Sequence, residues 1–296
     1  MIQRVTQATL IRELQASVAR MQRQLVVAQE TVSSQKRLLE ASDDPAAVAR
    51  VNRLRGETRA LTALSDNVAF GTAVLGAEDA GLEQAETIMT RAREIATQQA
   101  SGLTSPVARQ QAAEEVTELE RSLLALGNTA VGGRYVFGGL VSGAPPFANF
   151  DDPGFAPATA YTGPGDPFVI RSGTDQSLRL TTAGNQVFGE SLLAIDNLRQ
   201  TLEAGTAPVA SLDEIENGAA TLRAERASVG ARLARAQSRD QEISGALNNV
   251  RKALGGLEDA DLTIAISDLV QLQSALQATL AAGSALQTSI LDYVNP

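Results

Sequence analysis

From residue 11 the apolar side chains step by three and four in alternation, through Ile11, Leu14, Val18, Met21, Leu25, Ala28 and Val32, and then Gln35 and Leu39. A 3.5-residue repeat is the seam of a coiled coil, so residues 11–39 are predicted to form a helix with one apolar edge. A second helix is predicted to open at the SDDP stretch. There Asp44 can accept from free first-turn amides, and Pro45 fills a position that needs no donor. Leu54, Leu61, Val68, Leu75, Leu82 and Met89 follow at intervals of seven, but the alternate seam positions include Thr58, Ser65, Thr72, Asp79 and Glu86. This seam is therefore mixed rather than dry. A third helix is predicted after Ser105 and Pro106, with Ala112, Val116, Leu119, Leu123 and Leu126 on one face.

The longest stripe lies in the second half of the chain. Ser211 and Glu214 have capping-box spacing, and Ile215, Ala219, Leu222, Val229, Leu233, Ala236, Ile243, Leu247, Val250, Leu254 and Leu257 follow, interrupted only by Arg226 and Asp240. At 1.5 Å per residue such a helix runs roughly 65 Å, against a radius of gyration near ~19 Å for a compact chain of this length, so a rod is expected. The last segment carries a broader stripe, Leu262, Ile266, Leu269, Leu272, Leu276, Leu280, Leu286 and Ile290, with Ala282 and Gly283 in its final third. If the first and last segments pair, one face of each is buried and the rest of the broad stripe faces outward. Each Leu or Ile left out of a core forgoes ~1.5–3 kcal/mol, so the two ends are expected to form a module that needs other subunits and is loose in the monomer.

Between these arms the pattern changes. Six of the ten prolines (145, 146, 153, 157, 164 and 167) and eight of the ten aromatic residues fall between Tyr135 and Phe188. Proline interrupts helices and aromatic rings favour pleated surfaces, so this stretch is predicted to hold turns and short strands. RYVFG at 134–138 is one strand candidate. DPFVIRSG at 166–173 and QSLRLTT at 176–182 are two more, joined through a turn.

Composition narrows the chemistry. Among 296 residues there is no histidine, cysteine or tryptophan. That excludes Ser-His-Asp and Cys-His machinery, thiolate zinc sites and disulfides, and no spacing brings carboxylates, lysine and serine together as a catalytic set. No cofactor or metal is expected. A net charge of −9 argues against nucleic acid, whose phosphates need clustered Lys and Arg. No run of about 18 apolar residues suggests a membrane span, and MIQRVTQATLIREL does not read as a secretory signal. The protein is thus expected to be cytoplasmic or exported by a route that cleaves no signal.

The remaining motifs read as structure. Asp43 and Asp44 stand before a helix-opening proline and are taken as a cap rather than a metal pair. Asp259 and Asp261 in GLEDADL lack the sixth-position glycine and twelfth-position glutamate of a calcium loop, and are read as the link and cap of the last helix. VGGRYVFGG lacks the Lys-Ser/Thr pair of a phosphate loop, and reads as a strand entering the centre rather than an RNA-binding strand. For Arg226 and Asp240, buried pairing, register marking and a solvated edge all remain open.

The stretches SSQKRLLEASDDPAAVARV at 33–51 and NNVRKALGGLEDADLTIAISDLVQLQSALQATLAAGSALQTSILDYV at 248–294 resemble the two ends of the bacterial flagellin superfamily. RVTQ at Arg4 to Gln7, GRYVFGG at 133–139 and APPF at 144–147 lean toward its hook–filament junction members. The resemblance implies a mainly α, elongated helical-bundle rod built from both chain ends, with a small β-rich inserted domain. It divides the chain into paired terminal helices at 1–42 and 260–296, a bundle at 43–134 and 190–259, and an outer insertion at 135–189.

It further implies an extracellular flagellar subunit, exported without a cleaved signal, that performs no catalysis. The expected partners are a ring of identical subunits, the first hook-associated protein, flagellin, and an export chaperone on the C-terminal segment. The assembly interface is expected at Ile11, Leu14, Val18, Met21, Leu25, Val32, Leu262, Ile266, Leu269, Leu272, Leu276, Leu280, Leu286 and Ile290. A flagellin filament subunit is the alternative. A secreted coiled-coil adhesin or effector, binding through 135–189, is a more distant one.

Overall fold

The computed structural model describes the backbone at residues 2–42, 44–101, 105–140, 143–173 and 175–294, and side chains within those limits at Thr9 and from Ile11 to Ser284. The chain divides into two compact units: Met1–Ala60 with Leu247–Pro296, and Leu61–Ala246. Two long helices, α2 (Pro45–Gln99) and α5 (Val209–Glu258), contribute to both. The architecture is mainly helical and drawn from both chain ends, with short strands confined to the centre.

In the first unit α1 (Ile2–Ser34) and α6 (Leu262–Val294) lie side by side. α1 stops short of the predicted Gln35 and Leu39, because Gln35 turns into the left-handed region at φ +58°. The N-termini of α2 and α6 are capped by aspartates. The Asp44 carboxylate accepts from Ala47 N–H at 2.9 Å, and Asp261 accepts from Thr263 and Ile264 N–H at 2.9 and 3.2 Å. Each satisfies amides that the first turn leaves unpaired. Asp43 lies outside the described residues.

In the second unit the seven-spaced residues of α2 supply the core, with Val68, Leu75, Leu82 and Met89 all fully buried. An 18-residue window of this helix reaches a mean hydropathy of 1.2, enough by length and composition alone to cross a membrane. The expectation that no segment qualifies is corrected in that respect, although α2 spends Val68, Val74 and Leu75 on the protein core. α3 (Pro106–Gly127) starts where expected, capped by the Ser105 hydroxyl accepting from Ala108 N–H at 3.2 Å.

A separate helix, α4 (Gly184–Glu203), packs along α3 and buries Leu192, Ile195, Leu198 and Leu202. The capping box expected at Ser211 and Glu214 does not form. α5 already begins at Val209, so Ser211 is a buried residue of its first turn, and Glu214 instead accepts from Asn197 Nδ2 at 3.0 Å.

The centre holds two small antiparallel hairpins. β1 (Ala130–Val131) pairs with β2 (Arg134–Tyr135), shorter than the predicted strand at 134–138, and β3 (Val169–Arg171) pairs with β4 (Ser177–Arg179) as predicted. Three of its aromatic rings, Phe137, Phe147 and Phe188, are buried in the helical core, and the other five are half-buried. Phe137 is fully buried, 4.7 Å edge-on from Phe188, so this ring of the RYVFG stretch is not open to a nucleic-acid base.

Phe147 is held by the Asn128 side chain. The Asn128 amide donates to Phe147 O at 3.0 Å, and Asn128 Oδ1 accepts from Phe147 N–H at 2.9 Å. The ring fits because the ends of α3 and α4 are glycines there. A Cβ at Gly127 would meet Phe147 Cδ2 at 2.7 Å, and one at Gly184 would meet Cε2 at 2.6 Å and Tyr161 Cε2 at 3.0 Å. Gly184→Ala is therefore expected to destabilise the protein by about 1–3 kcal/mol, the range for forcing atoms into a packed core. A urea midpoint equal to that of the parent would contradict this packing.

Candidate assembly surface

α1 and α6 run antiparallel. Ala260 N–H donates to Gln35 O at 2.9 Å, Thr279 Oγ1 approaches Met21 Sδ at 3.5 Å, and Leu14 covers Gly283 so closely that a Cβ there would lie 2.8 Å from it. The small residue in the last third of the stripe is what lets the two backbones approach. Of the sequence-predicted interface residues, Leu14, Val18, Met21, Leu25 and Val32 are half-buried on α1, and Leu269, Leu272 and Leu276 are half-buried on α6. These belong to the seam between the two helices.

Ile11, Leu262, Ile266 and Leu280 are exposed, so the predicted list separates into an internal seam and an outward set. Leu286 and Ile290 lie outside the residues whose side chains are described. Sequence reasoning missed four further outward residues, Val26, Val27, Ile264 and Val270. The signal was present, since these apolar residues fall beside the seven-residue repeat and widen the stripe beyond what one partner helix can cover.

Toward one end of the pair the outward set borders a groove of about 560 Å³. Its floor is Val27, Ala28, Ile264, Ala265 and Leu272, and its rim carries Arg23 and Arg37 with Asp261 and Asp268. Such a surface offers apolar burial with a charged border. Among the described residues no group of His, Cys, Asp and Glu is arranged to hold a metal ion.

The second unit holds two clusters of charge between its helices, one at its edge and one buried. Arg226, the break in the long stripe, reaches across to α2 and meets Asp79 at 3.2 Å, Glu83 at 3.1 Å and Glu86 at 3.7 Å. Two of its partners, Asp79 and Glu86, are polar positions of the mixed seam, and Asp240 is not among them.

Deeper in, Arg232 pairs with Glu225 and lies 3.7 Å from Glu78, while Thr182 Oγ1 donates to Glu225 at 2.5 Å. Glu78 is 0% exposed, and no well-formed hydrogen bond reaches either carboxylate oxygen. Burial pushes its pKa up to about 8. Arg232 opposes this, Glu225 adds to it, and the Thr182 backbone N–H and Arg179 pull it partly back. Between α3 and α4 the buried Glu120 pairs with Arg199 at 3.1 Å. Burial raises its pKa to about 7 against the pull of Arg199, with Asp196 and Glu203 adding to the rise.

The helical region of the bacterial flagellin N-terminus matches residues 6–142, and that of the flagellin C-terminus matches residues 212–294. The chain belongs to the bacterial flagellin family, whose members are structural subunits of the flagellum. It is similar to flagellar hook-associated protein 3 of Escherichia coli, with 25% identity covering 87% of this chain and 89% of that one. It is also similar to polar flagellin F of Vibrio parahaemolyticus, at 32% identity over 111 residues. That match spans 37% of this chain and only 29% of the flagellin. In fold it resembles the crystal structure of hook-associated protein 3 from Legionella pneumophila, with a TM-score of 0.61 and 14% identity, covering 70% of this chain and 98% of that one.

Proposed function

We propose that this protein is the structural subunit joining the flagellar hook to the flagellin filament, and that it acts by assembly alone, without catalysis. The observation that carries the reading is the outward apolar set on the α1/α6 pair. Ile266 and Val270 are 49% and 54% exposed and stand one turn apart on α6, where no element among the described residues covers them. An exposed stripe of this width is stabilised when neighbouring copies bury it. In this reading residues 1–42 and 260–296 form the innermost layer of a ring of identical subunits, 43–134 and 190–259 the helical bundle around it, and 135–189 the outermost part. The neighbours are the first hook-associated protein below and flagellin above. Before assembly the subunit is exported without a cleaved signal, with a chaperone on its C-terminal segment, to an extracellular position on the flagellum. The lean of RVTQ at Arg4 to Gln7, GRYVFGG at 133–139 and APPF at 144–147 toward junction members supports the junction over the filament. Similarity over the whole length does not separate the two, since flagellins match over about as much of both chains as hook-associated protein 3 does.

Replacing Ile266 and Val270 together by aspartate tests the surface. Because both side chains are already exposed, the helical content of the purified monomer should stay within a few per cent of the parent, while cells carrying the variant should lose attached filaments and keep their hooks. Normal filaments would count against the reading. Immunogold labelling separates the two positions: a single band at the hook end fits the junction, and label along the filament fits a flagellin, the reading that the polar flagellin F match favours.

A further inference from the structure

Both ends of the chain interrupt their helices at the same level. α1 ends at Ser34 and α2 begins at Pro45, while α5 ends at Glu258 and α6 begins at Leu262. The two interruptions are stitched together across more than two hundred residues of sequence. Arg37 N–H donates to Glu258 O at 2.7 Å, Ala260 N–H donates to Gln35 O at 2.9 Å, and Lys36 faces Asp259 in an isolated antiparallel bridge. Gln35 is the one non-glycine residue with positive φ among the described residues. An L residue holds that conformation only where its surroundings enforce it, which makes the spot a candidate for a mechanical role.

Set into this joint is a carboxylate that a plain helix end does not need. The Glu258 side chain is only 9% exposed. Its Oε2 accepts from Lys36 Nζ at 3.2 Å, and Arg55 Nη2 stands 2.7 Å from Oε1, off the line of a hydrogen bond. Arg37 completes the set by donating from Nη2 to Leu257 O at 3.0 Å. Lys36 lies in the link between α1 and α2, Arg55 in α2 itself, and Glu258 at the end of α5. One carboxylate therefore ties three segments, adding α2 to the two that the backbone bridge already joins. Ion pairs between exposed groups contribute little, but a buried carboxylate stripped of its cations is strongly disfavoured, so the tie is hard to open one strand at a time.

We propose that Glu258, Lys36 and Arg55 form an ionic clasp that fixes the direction in which the α1/α6 pair leaves the adjoining stems, residues 45–60 of α2 and 247–258 of α5. With the clasp closed, the two terminal helices turn as one body. With it open, they pivot about Gln35 and the 259–261 link. The inference does not depend on where in a flagellum the subunit sits.

The absence of native cysteine makes the test direct. In the full-length chain the exposed Arg20 on α1 and Arg53 on α2 are replaced by cysteine and spin-labelled, and their distance distribution is measured by pulsed electron resonance. A single narrow distribution is expected, and Glu258→Gln should at least double its width. The Lys36→Gln and Arg55→Gln double variant, which alters only half-exposed cations, should do the same and covers the case in which Glu258→Gln fails to fold. Reversing all three charges, Glu258→Lys with Lys36→Glu and Arg55→Glu, should narrow it again. An unchanged width in the variants, or an already broad distribution in the parent, would overturn the clasp. Broadening that the charge reversal does not repair would overturn its ionic basis and leave the backbone bridge to hold the joint.

Discussion

Raising the pH from 6 to 9 is expected to lower the urea midpoint of the full-length protein, and Glu78→Gln to remove most of that loss. In the folded chain Glu78 keeps its proton up to about pH 8, whereas in the unfolded chain it releases it near the ordinary 4.5. Between those values the folded state binds more protons than the unfolded state, so stability falls as pH rises. The contribution is complete below the unfolded value and gone above the folded one. Glu120 acts with the same sign in a lower window, ending near pH 7, so the Glu78 variant isolates the alkaline part. Each unit of difference corresponds to about 1.4 kcal/mol, and for Glu78 the total is of the order of a few kcal/mol. Glutamine keeps the shape without the charge, and Arg232 retains Glu225 as a partner. The variant should therefore match the parent at pH 6 and exceed it at pH 9. A slope of stability against pH that is identical in parent and variant would contradict the assignment.

Deleting residues 262–296 should abolish filament attachment while leaving the second unit folded. α1 loses the seam formed by Leu269, Leu272 and Leu276, and an isolated helix of its length with one apolar edge is marginal in water. Circular dichroism should show the loss of helix equivalent to both 33-residue terminal helices, α6 by deletion and α1 by melting. The melting temperature of the remaining protein should move little, because its core is built around Leu75, Leu82, Leu123 and Leu192, all buried in the other unit. Motile cells carrying the truncated protein would rule out an assembly role for the terminal pair.

Most of the helical framework was legible because its signals are local. The seven-residue spacing from Leu54 to Met89 marked the buried edge of α2, and Asp44, Ser105 and Asp261 marked helix starts through side chains that accept from their own first turns. Signals that depend on another part of the chain were misread. The alternation through Gln35 and Leu39 continued past the true end of α1, where a pairing with residues 258–260 overrides the local pattern. α5 begins ahead of its apparent capping box, and α4 was absorbed into the surrounding bundle. Phe137 looked like an outer strand residue, and is buried edge-on against Phe188 of α4. On the candidate surface, periodicity named the residues without dividing them. Leu272 and Ile266 are alike in sequence, and only the position of α1 makes one a seam residue and the other an outward one.

The way Phe147 is seated bears on how this protein can vary. The excursion from Asn128 to Ala183 leaves the helices and returns to them beneath a single ring, closed by the Asn128 amide on one side and by Gly184 N–H donating to Phe137 O at 3.0 Å on the other. The two ends of the loop are thus held together through Phe137 and Phe147, two residues of the loop itself, while the rest of it takes no part in the closure. Entropy of closure grows only slowly with loop length, so segments of different size can be carried between the same two anchors without re-registering α3 against α4. The seat works as a socket: it holds the returning chain against the helices whatever length runs between Phe147 and Tyr161 or beyond them.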